Sequence, residues 1–203
     1  MEFIEVLKKR RSVRKYKDQP VARELMVKVI EAANMAPSAT NSQPWSFTVL
    51  EKEDLTALTT ITEQSFNERF GQMGKKVVEE KLAKLSIPEP DKFKGLSNFY
   101  RSLGGAPVAI IVTASIADDP HATKMNLASA SAAVQNILLA ACDLGLAACW
   151  MMGPLHKKLN EIKELLRIPP GEDIIAIIPL GYPAAEPESP KKVSAEEKTR
   201  WGL

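Results

Sequence analysis

Histidine and cysteine are scarce: 203 residues hold two of each, His121 and His156, Cys142 and Cys149. Two cysteines this far apart form neither a disulfide framework nor a CxxC redox pair, and a reducing, cytoplasmic setting fits them best. A Ser-His-Asp or zinc centre would have to be built around an isolated imidazole, and each imidazole reads more simply as a residue near a helix end. Also missing are a GxSxG elbow, a Walker loop, a GxGxxG after a strand, an HExxH helix and any Cys/His cluster with metal spacing, so no bound metal is expected. Charge of one sign is missing as well. Lys plus Arg number 27 against 25 for Asp plus Glu, a net +2 that gives no reason to expect nucleic acid as a partner. The longest uncharged helical run, Met125 to Cys142, carries Asn126, Ser129, Ser131, Gln135 and Asn136. Lipid tolerates such groups poorly, so the run reads as a buried helix and no membrane is expected. The opening MEFIEVLKKRRS places charges where a signal peptide needs an apolar stretch.

What is present describes one ordinary globular domain spanning 1–203, with 45% hydrophobic and 26% charged residues. Phe3, Val6 and Leu7 share one face of a short helix that ends in a basic turn. A second helical pattern, Leu25, Met26, Val29, Ile30 and Ala33, runs from Pro20 to its stop at Pro37. Trp45, Phe47 and Val49 alternate as in a strand covered on one face. Glu53 to about Ser86 is helical but rich in Lys and Glu and broken by Gly71 and Gly74, which reads as an excursion outside the core. Ser86 to Gly105, with Pro88, Pro90, Gly95, Phe93, Phe99 and Tyr100, reads as a loop with something apolar to cover, a lid. Pro107 to Ala114 is a central strand buried on both faces. His121 to Leu144 is a long Ala-rich helix capped at Gly145. Ala147 to Met152 is a strand, Pro154 opens a helix with Leu155, Leu159, Ile162, Leu165 and Leu166 on one face, and Asp173 to Gly181 is the last strand. Residues 183–203, with three prolines and Trp201, read as an extended arm for another surface. Strands and helices in this order make an α/β or α+β domain.

Three segments carry chemistry. Arg10-Arg11-Ser12-Val13-Arg14 offers guanidinium forks and a hydroxyl that suit a phosphate, although alone the cluster reads first as a solvated charge run. Ala36-Pro37-Ser38-Ala39-Thr40-Asn41-Ser42-Gln43-Pro44-Trp45 joins a helix to a strand. It could read the edge of a planar heterocycle, or simply be a turn. Cys149-Trp150-Met151-Met152-Gly153-Pro154 brings backbone N–H groups to a helix start, where they could donate to a ring nitrogen or oxygen; read alone it is core.

In this order, RRSxR, APSxxNxQPW, DLGLAACW, MMGP and the late GYP resemble the nitroreductase family of flavin enzymes over essentially the whole chain. The resemblance implies an α+β fold with a central, mostly antiparallel sheet flanked by helices. It further implies an intertwined homodimer with FMN at the subunit interface and the 183–203 arm wrapped over the partner. It assigns cofactor contacts to Arg10, Arg11, Ser12 and Arg14, with Arg10 and Ser12 toward the phosphate and ribityl chain. Arg14 lies toward the phosphate or the pyrimidine edge. Lys192 takes a phosphate-contacting place where the family has arginine. Pro37, Ser38, Ala39 and Asn41 reach the flavin from the other subunit, and the backbone at Met151, Met152 and Gly153 faces N5 and O4. Phe70, Phe99, Tyr100 and Arg101 are the substrate contacts it points to.

The chemistry implied is hydride transfer from NADH or NADPH to flavin N5 and on to nitroaromatic, quinone or similar small-molecule acceptors, in ping-pong order. No catalytic side chain is needed for the core step, which agrees with a chain so poor in histidine. The alternative is other flavin redox chemistry on the same scaffold: flavin fragmentation, reductive dehalogenation or azoline oxidation. A flavin-free binding protein, whose basic turn meets an acidic partner, is the reading from a different class.

Overall fold

The computed structural model describes residues 1–51, 53–71, 73, 75–83, 91–185, 189 and 192–202, with the side chains of 53, 75, 76, 79 and 81 left aside. Two hydrophobic stretches organise the chain. Strand β2 (Val108–Ser115) is flanked by β1 (Trp45–Glu51) and β4 (Glu172–Gly181), and β3 (Ala147–Ala148) closes the other edge. The order is β1-β2-β4-β3, with every strand pair antiparallel. This is the α+β arrangement expected, although the strand at 147–152 shortens to two residues plus an isolated bridge from Met151 to Ile177.

Every β2 residue from Val108 to Ala114 is buried, because successive side chains enter opposite layers. Val108, Ile110, Val112 and Ala114 meet α2 (Arg23–Asn34) and α6 (Pro120–Asp143), through Met26, Val29, Ala133, Val134 and Ile137. α6 is long and apolar enough by length and composition to cross a membrane. Its small residues Ala130, Ala133 and Ala141 are instead buried against the sheet and α2, as a core helix requires. Asp119 caps its start by accepting from the N–H groups of His121 and Ala122, and Gly145 follows its end at φ +75°.

The opposite layer corrects two expectations. The two helices here are core, not an excursion: α3 (Glu53–Phe70) buries Leu58, Thr62, Ser65 and Phe66, and α4 (Lys75–Leu82) buries Val78 and Leu82, while Gly74 lies outside the described residues. The many Lys and Glu residues hid a narrow apolar stripe. Nor is 86–105 a loop. Its part within 84–90 lies outside the described residues, but α5 (Lys92–Ser102) is a helix capped by Asp91, whose side chain accepts from Lys94 N–H. It buries Leu96, Phe99 and Tyr100 at helical spacing, and ends where Leu103 turns left-handed at φ 49°. Gly95 is buried in the helix rather than breaking it.

Smaller departures have local causes. In β1, Val49 is exposed and Leu50 buried, because Leu50 serves the α3 layer while Val49 runs past the helices covering the other face. α1 (Phe3–Lys9) buries only Val6, leaving Phe3 and Ile4 63% and 56% exposed. In α7 (Leu155–Leu165) only Ile162 is fully buried. A short helix, α8 (Ala195–Lys198), interrupts the expected arm, and Trp201 beyond it is 89% exposed.

Leu58→Ala measures the core role of α3. Deleting a fully buried leucine should lower the urea-unfolding free energy by about 2–5 kcal/mol. A change within about 0.5 kcal/mol would return this helix to the surface.

Candidate functional site

The basic segment leaves α1 in extended form, with Arg10 at φ −54°, ψ 128°. It then lies beside the β3 edge. Ser12 bridges Ala148 in parallel, and Val13 N–H donates to the Ala148 carbonyl at 3.2 Å. Tyr16 locks the segment down: its buried hydroxyl lies 2.8 Å from the Val13 carbonyl and 3.1 Å from that of Pro179, and its N–H donates to Gly104. Gly104 is required here, since at φ +70° a β-carbon would stand 2.2 Å from the Arg14 carbonyl. Along this short ladder Val13 and Arg14 border different cavities, one on each side.

On one side Arg10, Arg11 and Val13 join Leu138, Cys142, Ala148 and Pro183 around about 350 Å³. Arg10 and Arg11 also border an adjoining cavity of about 470 Å³ with Ile4, Leu7, Lys8, Ser189 and Lys192. Lys192 and Arg10 of one chain thus line the same cavity, so at Lys192 the arm lies on its own chain. Arg11 is already engaged: its guanidinium donates to the carbonyls of Lys8 and Arg10 and to Ser189 Oγ at 2.8 Å.

On the other side lies a cavity of about 300 Å³, lined by Arg14, Arg69, Phe70, Phe99, Tyr100 and residues Cys149–Gly153, with Leu82 and Leu96. The Arg14 guanidinium sits 6.0 Å from the Phe99 ring centroid and donates to the Ser12 carbonyl at 3.3 Å. Three expected substrate residues, Phe70, Phe99 and Tyr100, meet here. Arg101 does not line the cavity; it is exposed on α5 and bonds Asn98 at 2.9 Å. Burial pushes the Cys149 thiol up from its ordinary pKa, with Arg14 and a bonded Ser12 hydroxyl pulling weakly the other way. That leaves a protonated, inert thiol.

Met151 departs from its expected role. Its N–H and carbonyl are both engaged with Ile177 at 2.9 Å, so its backbone is part of the sheet. The N–H groups of Met152 and Gly153, by contrast, have no partner among the described residues, and both residues line the cavity at the start of α7. Gly153 has no room for a side chain, because a β-carbon would lie 1.8 Å from the Tyr100 hydroxyl and 3.4 Å from Arg69 Nη1. α3 fixes this corner: the Thr62 hydroxyl bonds the Tyr100 carbonyl, and Ser65 Oγ donates to the Pro154 carbonyl at 3.2 Å.

The Pro37–Asn41 segment borders none of these cavities within the chain. Ser38 Oγ accepts from Gln43 N–H and Ser129 Oγ from Ala39 N–H, while Thr40, Asn41 and Gln43 adopt φ of 52°, 58° and 46°. Three left-handed residues other than glycine within four positions store strain, the mark of a shaped, exposed loop. Nothing in the sequence pattern signalled it. Arg69 and Trp150 were missed as lining residues. Arg69 adjoins Phe70 in the last turn of α3, and treating that helix as an excursion hid it.

Comparison with known proteins bears on the family and the fold. The sequence model of the Nitroreductase family matches residues 7–182. A putative NADH dehydrogenase/NAD(P)H nitroreductase of Methanothermobacter thermautotrophicus is 34% identical over 190 residues, covering 92% of this chain and 80% of its own. Rat iodotyrosine deiodinase 1 is 30% identical over 193 residues, covering 90% of this chain and 62% of its own. Among solved structures, a BluB-like flavoprotein from Clostridium difficile 630 superposes with a TM-score of 0.75 at 27% identity, covering 100% of both chains.

Gly153→Ala should destabilise the protein by about 1–3 kcal/mol through its clash with Tyr100. In a Tyr100→Phe background at least half of that loss should disappear in urea titrations. An equal loss in both backgrounds would mean that another contact sets the corner.

Proposed function

The chain belongs to the nitroreductase family, and from that premise we propose that it is an FMN-dependent oxidoreductase that takes a hydride from NADH or NADPH and delivers it to nitroaromatic, quinone or similar acceptors. The observation that carries this reading is the ladder formed by residues 12–13 and 148, with a basic cavity on one side and an aromatic-walled cavity on the other. Such a pair suits a ligand with a phosphate at one end and a planar ring at the other.

The residues fit an FMN. Arg10 and Lys192 supply cationic donors for the phosphate, Lys192 as a point charge without a bidentate fork. Arg11 acts mainly by holding the end of α1 and Ser189 in place. Arg14 supplies positive charge beside the ring site, and the Met152 and Gly153 N–H groups supply donors that no group among the described residues accepts. FMN, when bound, provides the two-electron hydride acceptor and donor that the protein lacks. Arg14 stabilises the negative charge left by reduction. Phe70, Phe99 and Tyr100 exclude water and offer ring surfaces on which nicotinamide and acceptor stack in turn.

A homodimer completes this site. Phe3, Ile4, Met35 and Trp201 are between 56% and 89% exposed in the single chain, which favours burial against a second copy. In that assembly Pro37, Ser38, Ala39 and Asn41 reach the ring site of the partner, and the chain beyond Lys192, through α8 to the exposed Trp201, crosses the interface. Dehalogenation on the same scaffold is the second reading, favoured by the likeness to the deiodinase.

Initial rates with menadione as acceptor test the proposal. NAD(P)H oxidation should give parallel double-reciprocal lines, and Arg10→Ala should weaken FMN retention about tenfold or more, the worth of a charge-assisted bond. Intersecting lines would reject the shared pocket. A dehalogenase would turn over menadione poorly.

A further inference from the structure

We infer that Arg69 selects acceptors whose aromatic ring bears an anionic group, a carboxylate above all, so that this pocket prefers charged over neutral substrates of the same shape. The inference rests on the function proposed above and names the acceptor class of that same site.

Five observations carry it. Arg69 is half-buried and borders the aromatic-walled cavity, yet no carboxylate lines that cavity and no acidic group pairs with Arg69 among the described residues. Its position in the last turn of α3 would be satisfied electrostatically by pointing at the helix end or at water. Instead the guanidinium lies 5.4 Å from the Phe70 ring centroid, with Nη1 3.4 Å from where a Gly153 β-carbon would stand. It is aimed at the Met152–Gly153 corner, where the unpartnered N–H groups lie. Beside it the Tyr100 hydroxyl, whose pKa burial raises against the opposing pull of Arg69 bonded to it, adds a neutral donor to the same spot.

A guanidinium half removed from water, with no internal counter-charge, gains most from a ligand that brings its own. The planar fork matches a carboxylate bidentately, and Phe70, Phe99 and Tyr100 give the attached ring surfaces to lie against. Arg14 does not replace this function, since the proposed cofactor occupies it. α3 holds the group in place, through Thr62 to the Tyr100 backbone and Ser65 to Pro154, so a ligand meets a donor already oriented.

Benzoate and benzamide differ by charge and little else, which makes them the probes. Calorimetry on the protein as purified, with the flavin it carries, should give at least tenfold tighter binding of benzoate. Arg69→Gln should lower the benzoate-to-benzamide affinity ratio about tenfold, and Arg69→Lys should lower it less, since the charge remains and the fork is lost. The kcat/KM ratio for 4-nitrobenzoate over 4-nitrobenzamide should follow, chiefly through KM. A ratio near one in the unaltered protein, or a ratio that Arg69→Gln leaves intact while both affinities fall together, overturns the inference. Menadione turnover separates the two readings. Selective benzoate binding without any NAD(P)H oxidation would overturn the proposed function and support the Arg69 assignment; menadione turnover with no preference for charge would do the reverse.

Discussion

Strand β2 can be buried on both faces only if two independent layers of side chains cover it, and the rest of the molecule follows from that requirement. Alternate residues commit to opposite sides: Val108, Ile110 and Val112 to α2 and α6, Ala109 and Ile111 to α3, α5 and α7. Burying the strand edges is handled by β1 and β4, which leaves β3 as a two-residue edge with room beside it. The N-terminal segment uses that room. Its bridge from Ser12 to Ala148 extends the sheet by one partial strand, and through it the core fixes where Arg10 and Arg14 point.

A β-bulge carries the same constraint into the site. The register between β2 and β4 slips at Val112/Thr113, so Ile175 stands out of the ladder and its carbonyl is taken by the Trp150 indole N–H at 3.4 Å. That bond and the Met151–Ile177 pair hold the chain as it leaves the sheet toward Gly153. The corner where the unpartnered N–H groups meet Tyr100 and Arg69 is therefore assembled from three sources: the sheet edge, the start of α7 and the α3–α5 layer. Chemistry placed there is held by packing instead of by a flexible loop.

Much of this was legible from residue order. The uniform burial of 108–114, the small-residue face of α6 and the stop at Gly145 are written in side-chain size and backbone freedom, both local properties. The proximity of Lys192 to Arg10 was legible only through the family resemblance, because nothing local ties residues 182 positions apart. The α3–α5 layer was not legible. Its buried stripe of Leu58, Thr62, Ser65 and Phe66 includes two hydroxyls whose burial depends on partners at Tyr100 and Pro154, and a hydropathy pattern counts such residues as solvent-facing. Asp91 and the spacing of Leu96, Phe99 and Tyr100 did announce α5, but Gly95 and the neighbouring prolines outweighed them. For the same reason Arg69 went unseen while Phe70 beside it was chosen, and Arg101, one position past Tyr100, was chosen although its side chain turns outward. Local strain at Thr40 and Gln43 had no sequence signature, since glycine and asparagine are the residues that advertise a positive φ.

The most direct test of the whole account is the visible spectrum of the purified protein, recorded anaerobically before and after NADH or NADPH is added. Flavin absorption that bleaches on addition is the predicted result, since it requires both a resident isoalloxazine ring and a pocket open to nicotinamide. A protein without flavin bands, even after incubation with FMN, would contradict the assignment of the two cavities to one phosphate-bearing ring ligand.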